Sequence, residues 1–390
     1  MTDAPAPEPP PPLRDFLLYF LRLGTFGFGG PIALAGAMQK DLVERRGWIS
    51  KEDYLEGLAL AQLSPGPLAA QLAMYLGWVR AGRLGATLVA GAFILPSLVM
   101  VLALSAAYVR FGGLPWMQAA FYGVGAAVIA LVARSALKLA RTTVGRDPVL
   151  LALLLVSGVI TAATETEHLW VFAACGAIAF AAHERRSGAT MASFAVPALP
   201  AALTGVVAAV SDAGRGELWR LALYFTEAGA FVFGSGLAIV PFLHGGVVDD
   251  YHWLNERQFL DAVAVAMLTP GPVVITVAFI GYLVAGLAGA LVAAGGVFLP
   301  PYLVVIALAP SMRRWSRDPR VKAFVSGVTS AAAGAIGGAV VVLARRSLVD
   351  APTVLIALAT LAVLLRVKKA PEPLVIAAAG VVGLLLRRVT

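Results

Sequence analysis

Residues 63–67 read LSPGP, inside an apolar run that begins near Tyr54 and continues past Trp78. Proline lacks a backbone N–H and collides with the preceding turn, so one helix must end here and another begin. In lipid the freed backbone groups need partners within the protein, which confines such breaks to the protein interior or a water-lined cavity. How the chain uses this break decides the fold.

The surroundings are those of a membrane protein. The 390 residues are 59% hydrophobic and 13% charged, with a mean hydropathy of +0.84; a soluble domain carries about 25% charged residues. Stretches such as 84–107 and 321–343 hold little or no charge and are long enough to cross ~30 Å of hydrocarbon. Forty glycines suit helices that approach closely in lipid. The fold class is therefore an all-α polytopic membrane protein. Residues 1–13 form a Pro-rich, acidic segment without the basic region and cleavage site of a signal peptide, and read as a disordered tail. Cys175 is the single cysteine, which excludes an internal disulfide and a cysteine-based metal site. The net charge of +8 comes from basic residues in short loops between spans, a topology signal rather than a nucleic-acid surface.

The break occurs twice. Residues 18–34, LYFLRLGTFGFGGPIAL, match residues 223–239, LYFTEAGAFVFGSGLAI, at a constant offset of 205. The offset carries Trp48 onto Trp253, and Leu63, Pro65, Gly66 and Pro67 onto Leu268, Pro270, Gly271 and Pro272. Beyond the second motif it becomes 204, so that Gly77, Gly82, Gly85 and Pro96 meet Gly281, Gly286, Gly289 and Pro300. The chain is two related halves.

Apolar segments lie at about 14–37, 55–80, 84–109, 116–137, 148–163 and 168–182 in the first repeat (14–182). A linker (183–216) holds an unpaired segment near 192–210. The second repeat (217–390) has segments near 218–243, 258–284, 287–310, 321–344, 352–365 and 373–386. An odd number of crossings between the repeat starts would invert one half relative to the other, as in secondary transporters whose substrate site lies where the repeats meet. The Lys and Arg distribution places the N-terminus in the cytoplasm. Its bias is stronger if the four broken segments are re-entrant hairpins than if they cross, and both topologies stay open.

A helix break at membrane depth supplies free N–H groups and a positive dipole end, an anion site without formal charge. Gly29, Gly30, Gly66, Gly234 and Gly271 permit close approach to the backbone, and Ser64, Ser235 and Thr269 add hydroxyl donors. Four breaks, two from each half, would converge on one dianion; the plain alternative is that each kink serves packing. Arg22 and Glu227 are repeat counterparts. They suit a salt bridge that opens for substrate, with Glu227 as a proton-coupling group, unless Arg22 snorkels to the interface. Glu56 and Asp261, also counterparts, read as a proton-linked pair or as interfacial helix caps. Gln62 and Gln71 flank the first break as oxyanion donors; Met267 and Thr276 replace them in the second half. Residues 40–57, KDLVERRGWISKEDYLEG, read as a surface-lying amphipathic helix. His168, His183, His244 and His252 are scattered in loops without metal-ligand spacing. No nucleotide loop, zincin or nucleophile-elbow motif is present, so no enzyme activity and no cofactor are expected.

FGFGGP (26–31), SPGP (64–67) and the second copy ending in TPGP (269–272) resemble the chromate ion transporter family in its long two-domain form. The resemblance covers nearly the whole chain after the tail. It implies an inner-membrane protein of bacteria or archaea that moves chromate, commonly outward as a resistance mechanism, with sulfate as the structural analogue. Phe28, Gly29, Gly30 and Pro31 match the first motif, and Ser64, Pro65, Gly66 and Pro67 the second. The family's short members work in pairs, consistent with the internal duplication, and a homodimer is an open expectation. Departures are Gly27, where the family usually has Ser, and FGSG in the second copy, which lacks the proline. The competing readings are a transporter or channel for sulfate or another anion, and a membrane-embedded lipid-phosphate enzyme.

Overall fold

LSPGP is the tip of a helical hairpin in the computed structural model, which describes residues 12–28, 30–111, 114–165, 169–187, 216–231, 239–311, 318–367 and 372–387. Among them every regular element is helical. The first half opens with α1 (Leu13–Phe26) and α2 (Gly30–Met38), the latter extended by a π-helical turn, Gln39–Arg45. Next come α3 (Lys51–Leu63) and α4 (Leu68–Phe111). Ser50 starts α3 by accepting the Asp53 N–H at 3.0 Å, and the prolines stop it at Ser64. The Tyr75 hydroxyl donates to Glu56 at 3.1 Å, and a Cβ at Gly57 would lie 2.4 Å from the Tyr75 ring. In one straight helix residues 57 and 75 would be about 27 Å apart, so α3 folds back along the start of α4. With 13 residues, α3 reaches only ~20 Å.

A second reversal follows within α4. Ala81 and Gly82 leave helical geometry, Gly82 at φ +57°, and a Cβ at Gly77 would sit 2.5 Å from the Gly85 carbonyl. The 68–80 and 83–111 limbs therefore run antiparallel. Gly24 allows α1 to rest on that second limb, since a Cβ there would meet the Phe93 carbonyl at 2.3 Å.

Equivalent geometry recurs in α8 (Glu217–Phe231), α9 (Ile239–His244) with its π-helical turn Gly245–Asp250, α10 (Glu256–Leu268) and α11 (Thr276–Leu308). Asn255 caps α10 where Ser50 caps α3. Gly286 turns the chain at φ +60° where Gly82 does, and Gly229 meets Val297 as Gly24 meets Phe93. The helices flanking the FGFGGP segment and its counterpart also fold back on one another. Phe16 lies 6.3 Å from Trp48 between ring centroids, and the Tyr224 hydroxyl donates to the Phe242 carbonyl at 2.8 Å. Residues 40–57 are thus two pieces rather than one surface helix, separated at Gly47, which adopts φ +62° where its counterpart His252 adopts +52°.

Each half ends in three helices: α5 (Pro115–Val144), α6 (Pro148–Thr164) and α7 (Leu169–Ser187), then α12 (Pro319–Ser347), α13 (Ala351–Arg366) and α14 (Glu372–Arg387). These triplets exchange partners, α12 packing on α6 and α7, and α5 on α13 and α14. Small residues allow the approach. A Cβ at Gly327 would lie 2.4 Å from the Cys175 carbonyl, and its counterpart at Gly123 lies 2.0 Å from that of Ala379; Cys175 is a packing residue. Counterparts α5 and α12 run antiparallel. Tyr122, near the start of α5, donates to Asp350, just past the end of α12, at 2.5 Å. At the opposite ends Arg186 pairs with Asp147 and Arg320 with Glu184, at 2.7 and 2.9 Å. Among the described residues four stretches are long and apolar enough to cross a membrane: Leu68–Phe111, Pro115–Val144, Val273–Leu308 and Pro319–Ser347. The unpaired segment near 192–210 lies outside the described residues.

An ion-pair cluster joins the halves at the end of α12. Arg346 binds Asp249 at 2.9 Å, Glu256 at 2.6 Å and, from the first half, Glu165. His244 is no loop residue: only 3% exposed, it sits between Asp249 (3.3 Å) and Glu256 (2.9 Å). In the first half the equivalent pair is Gln39 donating to Glu44 at 3.2 Å. Burial alone pushes the Glu256 carboxyl up, but hydrogen bonds from His244 and Arg346 outweigh it and hold the group below its ordinary range. A depressed carboxyl contributes stability above its unfolded value and loses it as pH falls through the folded one. Acidification below about pH 4 is expected to lower the melting temperature of the wild type in detergent, and of Glu256→Gln less. Equal acid sensitivity of the two would refute this role.

Candidate functional site at the hairpin tips

The tips of two hairpins, one from each half, touch. The Gly271 N–H of TPGP donates to the Gly27 carbonyl of FGFGGP at 2.9 Å. Ser97, fully buried in the 83–111 limb of α4, donates to the Pro270 carbonyl at 2.7 Å and lies 3.4 Å from that of Gly24. One hydroxyl therefore ties α1, α4 and the TPGP tip together. Gly271 is obligatory: its φ is +95°, and a Cβ would lie 1.9 Å from the Ser97 Oγ. The first PGP tip docks reciprocally. Gly66, at φ +138°, places a Cβ 2.5 Å from that of Pro301 in α11, the position equivalent to Ser97.

The polar groups around both tips are buried and mostly committed. Ser64 and Thr269, 4% and 7% exposed, donate to the Leu60 and Ala266 carbonyls at 2.6 and 3.1 Å. Gln71 is fully buried; its amide N–H groups reach Ser64 Oγ at 3.0 Å and the Pro65 carbonyl at 2.6 Å, while its Oε1 has no partner. The donors expected to face an anion, the Gly271 N–H and both hydroxyls, are thus satisfied within the protein in this conformation.

Other expected site residues are distributed as follows. Gly30 opens α2; Gly29, Gly234 and Ser235 lie outside the described residues. Gln62 points outward and is exposed, away from the buried amide of Gln71. Arg22 is exposed and Glu227 half-buried, and they form no ion pair, because Arg22 faces away from the α1 surface that packs. Glu56 and Asp261 are not caps, a role held by Ser50 and Asn255; they bind the hydroxyls of Tyr75 and Tyr108 at 3.1 and 2.7 Å. Sequence reasoning missed Ser97, Tyr75 and Tyr108. Only the first had a signal, as the residue after repeated Pro96 and Pro300.

Duplicated halves, each built from two helical hairpins and a triplet of helices, with long apolar helices between, define a polytopic helical membrane protein whose hairpin tips meet across the halves. The family model described as Chromate transporter matches residues 14–180 and again 219–384, and the chain belongs to that family. A chromate transport protein of Cupriavidus metallidurans is 58% identical over 95% of this chain and 92% of its own length. A probable chromate transport protein of Synechococcus elongatus is 52% identical over 96% and 95%, and a chromate transport protein of Pseudomonas aeruginosa 30% identical over 88% and 84%. No solved structure matches.

The tip contacts make a specific energetic expectation. Ser97→Ala removes one hydrogen bond and should cost about 1 kcal/mol, whereas Gly271→Ala adds both a clash and a disfavoured backbone and should cost more. Because Ser97 Oγ is the atom struck, Ser97→Ala/Gly271→Ala should be less destabilised than the sum of the single changes. Additive melting shifts would contradict the contact.

Proposed function

We propose that this protein is a secondary transporter that carries chromate out across the bacterial inner membrane by alternating access. Three relatives along most of the chain bear the name chromate transport protein, in one case with the qualifier probable, and a tetrahedral dianion suits a site made of helix termini. The observation that carries the mechanism is the direct bond between tips of opposite halves, Gly271 N–H to Gly27 C=O. In this reading the contact is a closed gate. When the tips part, the Gly271 N–H and the neighbouring N-terminus at Val273 are released toward the anion, joined by Gly30, Gly66, Ser64 and Thr269. The proposed site also includes Gly29, Gly234 and Ser235, which lie outside the described residues.

Inverted topology supports exchange of access between the two sides; the antiparallel run of α5 and α12 favours it, as do hairpin arms too short to cross. The hairpins would then enter the bilayer and return, with the N-terminus cytoplasmic by the Lys and Arg bias. Transport draws on an ion gradient or the membrane potential.

Radiolabelled chromate flux into inverted vesicles, with sulfate competition and an imposed pH gradient, tests the reading. The expected result is chromate accumulation above that of empty vesicles, reduced by excess unlabelled chromate more than by sulfate. Absence of accumulation refutes chromate carriage, and equal competition by sulfate would reassign the substrate to oxyanions generally.

A further inference from the structure

The α10 hairpin holds a carboxyl group that the gate does not use. Asp261 is 2% exposed and accepts a hydrogen bond from the Tyr108 hydroxyl at 2.7 Å. Among the described residues no cation lies within ion-pair distance of it. Arg257, one turn earlier on the same helix, is exposed and donates instead to the Gln118 carbonyl at 3.2 Å. The groups with an electrostatic hold on Asp261 are Tyr108 from α4 and Arg257 from its own helix. The Tyr108 ring is packed against Phe121 of α5 and Phe279 of α11, with centroids 5.5 and 5.1 Å away. Aromatic surface thus closes over the pair, and α5 adds Gly125 opposite Leu260.

A carboxyl group buried on an apolar helix of a membrane protein, with no cation within ion-pair distance, is rare, and such groups mark proton relays. Its ionised form is costly away from water and becomes cheaper when water reaches it. Asp261 lies eight residues before Thr269, about 12 Å along the helix from the tip, on the arm that must move if the Gly271–Gly27 contact opens. The counterpart carboxyl in the first half, Glu56, is also bonded to a tyrosine, the non-equivalent Tyr75 of its own hairpin at 3.1 Å, in a half-exposed setting.

We infer that Asp261, positioned by Tyr108, is the group that takes up and releases the proton exchanged for the transported anion, an inference that rests on the transport reading above. The step is a simple protonation: a carboxylate oxygen takes one proton from water on one side of the membrane before the aromatic cover closes over it, and gives it to water on the other side when the hairpin shifts, with no electron transferred. Tyr108 keeps donating to the other oxygen throughout.

Two measurements on the full-length protein test this. In proteoliposomes with a trapped pH indicator, radiolabelled chromate accumulation driven by a pH gradient is compared with chromate–chromate exchange. Asp261→Asn is expected to lose the gradient-driven component and the accompanying proton movement, so that the ratio of driven to exchange flux collapses, and Asp261→Glu to restore it. In acid-minus-alkaline infrared difference spectra, Asp261→Asn should lack one protonated-carboxyl band that Tyr108→Phe retains at a shifted pH. Wild-type proton coupling in Asp261→Asn, an unaltered carboxyl band, or failure of Glu to rescue would each overturn the inference. Should Asp261→Asn not assemble, an unshifted band in Tyr108→Phe would do the same. Chromate carriage by the wild type without proton movement would refute the proton site and leave the transport reading standing; no chromate carriage at all would remove both.

Discussion

A backbone broken in an apolar environment must find its hydrogen bonds elsewhere in the protein, and that requirement organises this molecule. Pro-Gly-Pro ends α3 and α10 far from any helix terminus that water would ordinarily serve. The solution is reciprocal: each tip is driven into the opposite half, Gly271 against Ser97 and Gly27, Gly66 against Pro301. The second break takes hydrogen bonds from the first half, through Ser97 and the Gly27 carbonyl, whereas the first is hydrogen-bonded by Gln71 of its own half and only packs on Pro301 across the halves. The exchange of α12 and α5 between the helix triplets follows the same logic, with glycines set where one half's backbone meets the other's.

The small number of bonds at the tips suits the switching proposed for them. Few atoms are involved: one N–H···O=C bond and one serine hydroxyl hold two hairpins together. In the proposed mechanism the hairpins, attached to the rest of the fold by short turns at Gly82 and Gly286, tilt without unfolding their helices. The Arg346 cluster supplies a firmer tie at another point, joining Glu165 of the first half to Asp249 and Glu256 of the second, and leaves the tips as the weaker link.

Much of this fold was legible in the residues. The offset that aligns Gly24 with Gly229 and Gly66 with Gly271 foretold two halves, and these glycine pairs occupy equivalent packing positions. Hydropathy could not distinguish a crossing from a hairpin, because an apolar run of the same length serves either; contact between Gly57 and Tyr75 was needed. The site was legible as backbone and illegible as side chains. Pro-Gly-Pro announces a break, but Ser97 meets Pro270 across 173 positions and Tyr108 meets Asp261 across 153, separations at which no local pattern operates. The same limit explains the Arg22–Glu227 pair: equivalence in a repeat relates positions by a rotation and does not bring them together. His244 shows the converse, an ordinary histidine in sequence that tertiary folding encloses between two carboxylates.

In the proposed mechanism transport depends on parting of the tips, and a distance measurement reaches that event most directly. In a Cys175→Ala background, spin labels at Phe28 and Leu268, beside the two touching tips, would report their separation with and without chromate under opposed pH gradients, in protein that still transports. Two populations, one short and one longer, whose balance shifts with chromate or gradient, are predicted. A single short distance under every condition, with transport intact, would contradict the opening of the tips and move the anion path elsewhere in the molecule.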